Sequence, residues 1–215
     1  MTTVNFSQFL PRIRQEVRSC PELVLKDTVK ATVNEFCRRT GAWKVDHDPI
    51  TVTQGIPEYE LDIIDDALVH DVLSIEVDDV PLEPMTQVDL DNKYPGWRDL
   101  EGDVITYFLL SDRATVRLVY TPDRTITQGL VLTVTLRPKR TATVVDEIIY
   151  EEYLEAIVDG AKSKLLMMAG KPWTDLPAAT VAKAAYETAI SNATLGAQKE
   201  FSRTPLRTKA IYSLD

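Results

Sequence analysis

Histidine is nearly missing from this sequence, and cysteine with it. The two histidines stand apart, in Asp46-His47-Asp48 and Val69-His70-Asp71, and the two cysteines are Cys20 and Cys37. A metal centre or catalytic triad that needs two close histidines on one element has no source here, and neither histidine sits beside a matching cysteine. Two cysteines are too few for a disulfide framework; in a reducing compartment they read as small buried hydrophobes. Glycine is scarce as well, 8 among 215 residues, and neither GxGxxG nor GxxxxGK occurs, so phosphate binding at a helix N-terminus lacks a signal. No apolar run approaches the ~20 residues that cross a bilayer, and MTTVNFSQFLPRIRQEV lacks a charged stretch followed by a hydrophobic one. These absences predict no cofactor, no metal, no catalytic residue and no membrane contact, in a chain made and kept in cytosol.

What is present is a hydrophobic fraction of 44%, enough to bury a real core in one large or two small domains, and a marked surplus of acid. The net charge is −9, which argues against wrapping nucleic acid by general electrostatics. The surplus is localised. From Ile50 to Arg140 there are 17 acids against 8 bases, whereas the rest of the chain carries 16 of each. A solvated acidic surface explains this; so does a negative wall that a polyanion must pass without sticking.

The hydrophobic period changes twice. Phe6, Phe9, Leu10, Ile13 and Val17 form an apolar stripe that predicts a helix from about Phe6 to before Pro21. A second helix opens at Pro21-Glu22 and buries Leu25, Val29, Val33 and Phe36 until Gly41, with Arg38 and Arg39 complementing its negative end. Alternation then begins. Ile50-Thr51-Val52-Thr53 and Tyr59-Glu60-Leu61 flank Gln54-Gly55 and read as a hairpin. Further strands are expected at Val69–Val77, Val80-Pro81-Leu82, Val104–Leu110, Thr115–Tyr120 and Leu130–Leu136, with a short helix over Met85–Tyr94. About six strands make a small sandwich or open barrel. Helical spacing returns at Asp146, stops at Gly170, and resumes from about Leu176 to Gln198.

The acid pairs Asp65-Asp66, Asp78-Asp79 and Asp89-Asp91 fall where strands end. That placement favours turn and capping roles over cation binding or glycoside hydrolysis. Trp43 and Trp173 follow helix ends and are expected to plug the junction between helices and sheet; Trp97, in Tyr94-Pro95-Gly96-Trp97, is expected in a loop open to a partner.

Taken in order, Phe36-Cys37-Arg38-Arg39-Thr40-Gly41-Ala42-Trp43, Pro49-Ile50-Thr51-Val52 with Tyr59-Glu60-Leu61, Gly170-Lys171-Pro172-Trp173-Thr174-Asp175 and Thr204-Pro205-Leu206-Arg207-Thr208 give a chain that resembles tailed-phage head-to-tail adaptors over nearly its whole length. The likeness is nearest to the tail tubular protein A type of short-tailed phages, whose helical bundle carries an inserted β domain. Patterning and resemblance together predict an α+β fold. About four helices from both chain ends, residues 1–48 and 141–198, would form a bundle. An antiparallel β-sandwich or barrel-like domain, residues 49–140, would be inserted in it, and residues 199–215 would be an extended arm.

The resemblance implies a ring, commonly dodecameric, that binds beneath the portal, meets a tail or nozzle protein and passes DNA through its channel without specific binding. It implies a virion component of the neck, assembled in host cytoplasm, and not an enzyme. Side-by-side helical bodies can close a ring through heterologous contacts. Asp78, Asp79, Asp89 and Asp91 are the candidate channel-facing acids, repelling phosphates so that DNA slides. The arm is the candidate portal-docking segment: Phe201, Pro205, Leu206, Ile211 and Tyr212 as apolar anchors, with Arg203 and Arg207 supplying charge. Alternatives are another ring-forming neck component, a head-completion stopper or tail terminator, and a peptidoglycan hydrolase using an acidic pair.

Overall fold

The computed structural model describes residues 2–199. In chain order the elements are β1 (Thr3–Asn5), a 3-10 turn (Phe6–Phe9), α1 (Leu10–Glu16), α2 (Glu22–Thr40), β2 (Lys44–Asp46), β3 (Ile50–Val52), β4 (Glu58–Glu60), β5 (Ala67–Val77), β6 (Val80–Pro81), α3 (Gln87–Lys93), β7 (Glu101–Gly102), β8 (Thr106–Leu109), β9 (Thr115–Val119), β10 (Thr121–Pro122), β11 (Ile126–Pro138), β12 (Val144–Asp146), α4 (Glu147–Leu166) and α5 (Leu176–Lys199). The class is α+β.

Helix α2 ends where the sequence stops it. Gly41 takes the left-handed conformation at φ 63°, and its N–H donates to the Cys37 carbonyl at 2.9 Å. The hydroxyls of Thr28, Thr32 and Thr40 donate to carbonyls four residues back, so these buried polar groups on α2 are satisfied. The expected first helix is shorter than its apolar stripe: Phe6–Phe9 winds as a 3-10 turn, and α1 stops at Glu16. Asp146 caps α4 by accepting the Ile148 N–H at 2.9 Å.

Helices α2, α4 and α5 pack on one another, and α2 also lies against β11. The three helices meet at Gly160, where a Cβ would stand 2.6 Å from Thr32 Cγ2 and 2.7 Å from Tyr186 Cε2. Phe36 packs against both Tyr153 and Tyr186, with ring centroids 5.0 and 6.3 Å away. Strand β1 pairs antiparallel with β12, which ties the first residues to the start of α4.

The largest sheet has five strands in the order β2-β11-β5-β6. Strand β3 follows β2 along the same edge of β11, because Leu130 pairs with Ile50 on one side and Val77 on the other. Leu130, Leu132, Val134 and Leu136 alternate inward from β11 as a strand facing a core requires. The turn Asp78-Asp79 places both residues at positive φ, 54° and 63°, and returns the chain into β6 with Pro81 on the sheet's edge. A separate three-stranded sheet runs β4-β9-β8, and β7 and β10 form a parallel pair.

Two sequence expectations are corrected here. Ile50–Val52 and Glu58–Glu60 do not form a hairpin; β3 pairs with β11 and β4 with β9. The Gln54-Gly55 turn exists, but each flank is longer-range bait for a different sheet, and Tyr59 Oη fastens the turn by donating to the Ile56 carbonyl at 2.6 Å. The pattern predicts about six strands in residues 49–140; nine segments, β3 to β11, are present there, because pairs such as β7 and β10 are too short to show a period.

One core runs continuously from Phe6, Ile13 and Phe36 through Trp43 to Leu132 and Leu136 of the sheet. Trp43 is fully buried at the α2 to β2 passage, and its carbonyl accepts the Leu136 N–H at 2.7 Å; Trp173 is half-buried against the same core. A second, small core beneath α3 holds Leu90, Trp97, Phe108 and Val119.

Candidate functional site

The residues singled out as acids of interest fall in two places. Asp78 and Asp79 form the exposed β5 to β6 turn; Asp78 Oδ2 lies 3.4 Å from Arg124, whose other nitrogen holds Asp103 at 2.7 Å. Asp78, Asp103, Asp123 and Arg124 line a shallow notch of about 250 Å³. Asp89 and Asp91 are on α3. Asp89 closes its first turn, accepting the Thr86 hydroxyl at 2.6 Å while its own N–H donates back to that hydroxyl at 3.2 Å. Asp91 accepts the Trp97 indole N–H at 2.8 Å and the Arg98 guanidinium at 2.5 Å. The Arg98 hydrogen bond and then that of Trp97 hold the Asp91 carboxyl below the ordinary carboxylate value. The portal-docking candidates from Phe201 to Tyr212 lie outside the described residues.

Trp97 corrects another expectation. It is not open to a partner but only 3% exposed, edge-on to Phe108 with centroids 5.6 Å apart and covered by the guanidiniums of Arg98 and Arg117. A buried indole needs an acceptor for its N–H, and Asp91 supplies it. Asp91 therefore anchors α3 over the small core.

The histidines serve the backbone. His47 Nε2 accepts the Asp62 N–H at 2.8 Å while Nδ1 donates to the Asp48 carbonyl at 2.7 Å. His70 Nε2 donates to the Arg38 carbonyl at 3.0 Å, which joins β5 to the end of α2. Among the described residues, no group of His, Cys, Asp and Glu is arranged to hold a metal ion.

A cleft of about 1120 Å³ between α2 and the roots of β5 and β11 went unread in the sequence. Register explains its shape. Strand β5 carries two extra residues against β11, at Leu73 and at His70, and such bulges bend a strand and re-aim its side chains. The second bulge turns His70 toward α2 and opens the space lined by Arg38, Arg113, Arg137, Lys139 and Arg140. Arg113 is anchored, donating to the His70 carbonyl at 3.0 Å. Burial, and then the nearby charges of Arg113 and Arg38, push the Arg137 guanidinium below its ordinary value. Asp27 and Glu35 line the α2 side of the same cleft. Glu35 is engaged by Lys164 at 2.7 Å, and Arg39 is clamped bidentately by Glu187 at 2.9 and 2.6 Å, a bond that raises the Arg39 guanidinium above its usual range. Crowded guanidiniums facing open space can bind a carboxylate or phosphate, and His70, which also lines the cleft, commits Nε2 to the Arg38 carbonyl.

In the sequence, Arg137, Lys139 and Arg140 fall inside an acid-rich segment, and Arg38 falls at a helix end. The only available signal was the Arg-Pro-Lys-Arg run, residues 137–140.

Residues 4–209 match the family model described as SU10 adaptor protein. The chain belongs to that family. No curated protein matches it. The adaptor is thus a phage structural protein that joins head to tail, and membership implies a virion component that contacts portal and tail components, oligomerises and has a non-enzymatic role. Among the described residues of the adaptor, no helix is long and apolar enough to cross a membrane.

Proposed function

We propose that the adaptor forms a dodecameric ring beneath the portal, of the tail tubular protein A type, and gives DNA a channel into the tail. The observation that carries this reading is the family match over residues 4–209, which covers helices and sheets alike. In this reading residues 1–48 and 141–198 form the ring body as a helical bundle, residues 49–140 form an inserted β-sandwich-like unit, and residues 199–215 form the docking arm. The channel face belongs to the acid-rich segment, where carboxylates such as Asp78, Asp79 and Asp89 repel DNA phosphates over roughly a Debye length of 8 Å. DNA then passes without a specific site.

The arm reaches the portal with Phe201, Pro205, Leu206, Ile211 and Tyr212 as anchors and Arg203 and Arg207 as charge contacts. Ordering such a segment costs about 1–2 kcal/mol per residue, so burial of these side chains in a portal groove must offset it. Co-sedimentation of the full chain with purified portal tests the reading. Binding is expected for the full chain and lost on deleting residues 201–215; unchanged binding of the truncated chain removes the arm from the portal contact, and a neck without an annulus of this protein in images of intact particles refutes the ring.

A further inference from the structure

Two charged faces of the adaptor have no ion-pair partner among the described residues. One is the cleft wall, where Arg38, Arg137 and Arg140 make no ion pair among the described residues. The other is the outward face of α4, where Glu151 and Glu152 are exposed and likewise unpaired among the described residues, beside the partly exposed Ile148. Helix α2 stands between them. Its residues Asp27, Asn34 and Arg38, spaced to share one side, line the cleft, whereas Thr32 and Phe36 on its other side pack against α4 and α5.

We propose that the Arg38, Arg137 and Arg140 wall of one copy receives the Glu151 and Glu152 face of the next copy's α4. The proposal rests on the ring reading above. A contact that repeats around a rotation axis needs two different, mutually complementary faces on each copy, and these two carry opposite charge with no ion pair among the described residues. Guanidinium forks match carboxylates bidentately, and opposite potentials steer approach and set register. A second copy suits the cleft better than DNA does. Asp27 and Glu35 stand in the cleft and would face a continuous run of phosphates, while discrete carboxylates fit between them; the net charge of −9 also opposes a polyanion.

The test uses two full-length variants, Arg38→Glu with Arg140→Glu, and Glu151→Lys with Glu152→Lys, each checked by thermal melting for an intact fold. Copies bound to portal-containing particles are counted by quantitative mass spectrometry. Each variant alone is expected to lose the multi-copy assembly by at least about tenfold. A 1:1 mixture is expected to restore it, because every contact in an alternating ring is again between opposite charges. Full assembly by either variant alone, or no rescue by the mixture while wild type assembles, overturns the proposal and leaves the ring standing. Wild type bound as a single copy overturns the ring itself. Binding of wild type to a short DNA duplex, lost in the first variant while its copy number is unchanged, overturns the proposal in favour of a phosphate site.

Discussion

Gly160 offers the sharpest test of how the helices are put together. It is buried in the middle of α4, and an added Cβ would meet Thr32 Cγ2 at 2.6 Å and Tyr186 at 2.7 and 2.8 Å, well inside the ~3.5–4.0 Å at which carbon atoms attract. The two obstructing residues belong to different helices and are joined to each other, since Tyr186 Oη donates to the Thr32 carbonyl at 3.3 Å. Neither can yield without moving α2 or α5. Overpacking of this kind costs about 1–3 kcal/mol, against a gain of about 1 kcal/mol from replacing glycine inside a helix. Gly160→Ala should therefore lose about 1 kcal/mol net, which lowers Tm by about 2–4 °C in a chain of this size, and Gly160→Val should lose about 3 kcal/mol. Gly196 on α5 is the control, because a Cβ there meets nothing within 4 Å; Gly196→Ala should hold or raise Tm. Calorimetry or circular dichroism melts read all three. A Gly160→Ala protein that melts at or above wild type would refute the close three-helix contact.

Three other outcomes follow from local geometry. Burial would raise the Asp66 carboxyl, but hydrogen bonds from the Thr143 and Val144 N–H groups and the Thr143 hydroxyl, with the charge of Lys139, outweigh it and hold the carboxyl below its ordinary value. A depressed folded-state value means that this stabilisation is complete above the unfolded carboxylate value of about 4 and is lost as pH falls through the lower folded one. Asp66→Ala should cost about 1–2 kcal/mol at neutral pH and flatten the acid limb of a urea-stability profile. Trp97→Ala should cost about 3–5 kcal/mol locally, seen as faster hydrogen exchange over residues 86–97 with α2 unchanged, whereas Trp97→Phe should lose only the Asp91 bond, about 1 kcal/mol. Replacing Asp78, Asp79 and Asp89 with Asn should leave copy number on the portal unchanged and slow DNA release from particles; normal release would count against an acidic channel face.

Much of the fold is legible in the chain because its signals are local. Pro21-Glu22 at one end and Gly41 at the other delimit α2 to the residue, Asp78-Asp79 marks a turn by tolerating positive φ, and Thr86 and Asp146 mark two helix starts through side chains that accept neighbouring backbone N–H groups. Strand partnership is not local. The alternation in Ile50–Val52 and Tyr59–Leu61 identifies strands, but it carries no information on whether they pair with each other or, as they do, with β11 and β9. Trp97 misleads for the same reason. Its Pro-Gly setting describes a loop, and only the arrival of Phe108 and Val119 from distant strands buries the ring.

The charge surplus of the middle segment, the scarcity of histidine and cysteine, and the helix ends are properties of the chain itself, set by composition and by contacts over a few residues. The basic cleft is a property of the fold. It needs Arg38 from α2, Arg113 from the β8 to β9 turn and Arg137 and Arg140 from the end of β11, brought together by a bulge at His70 that exists only when β5 pairs with β11. Like charges separated by up to 102 positions cannot be seen as one surface until long-range pairing pays the cost of placing them side by side.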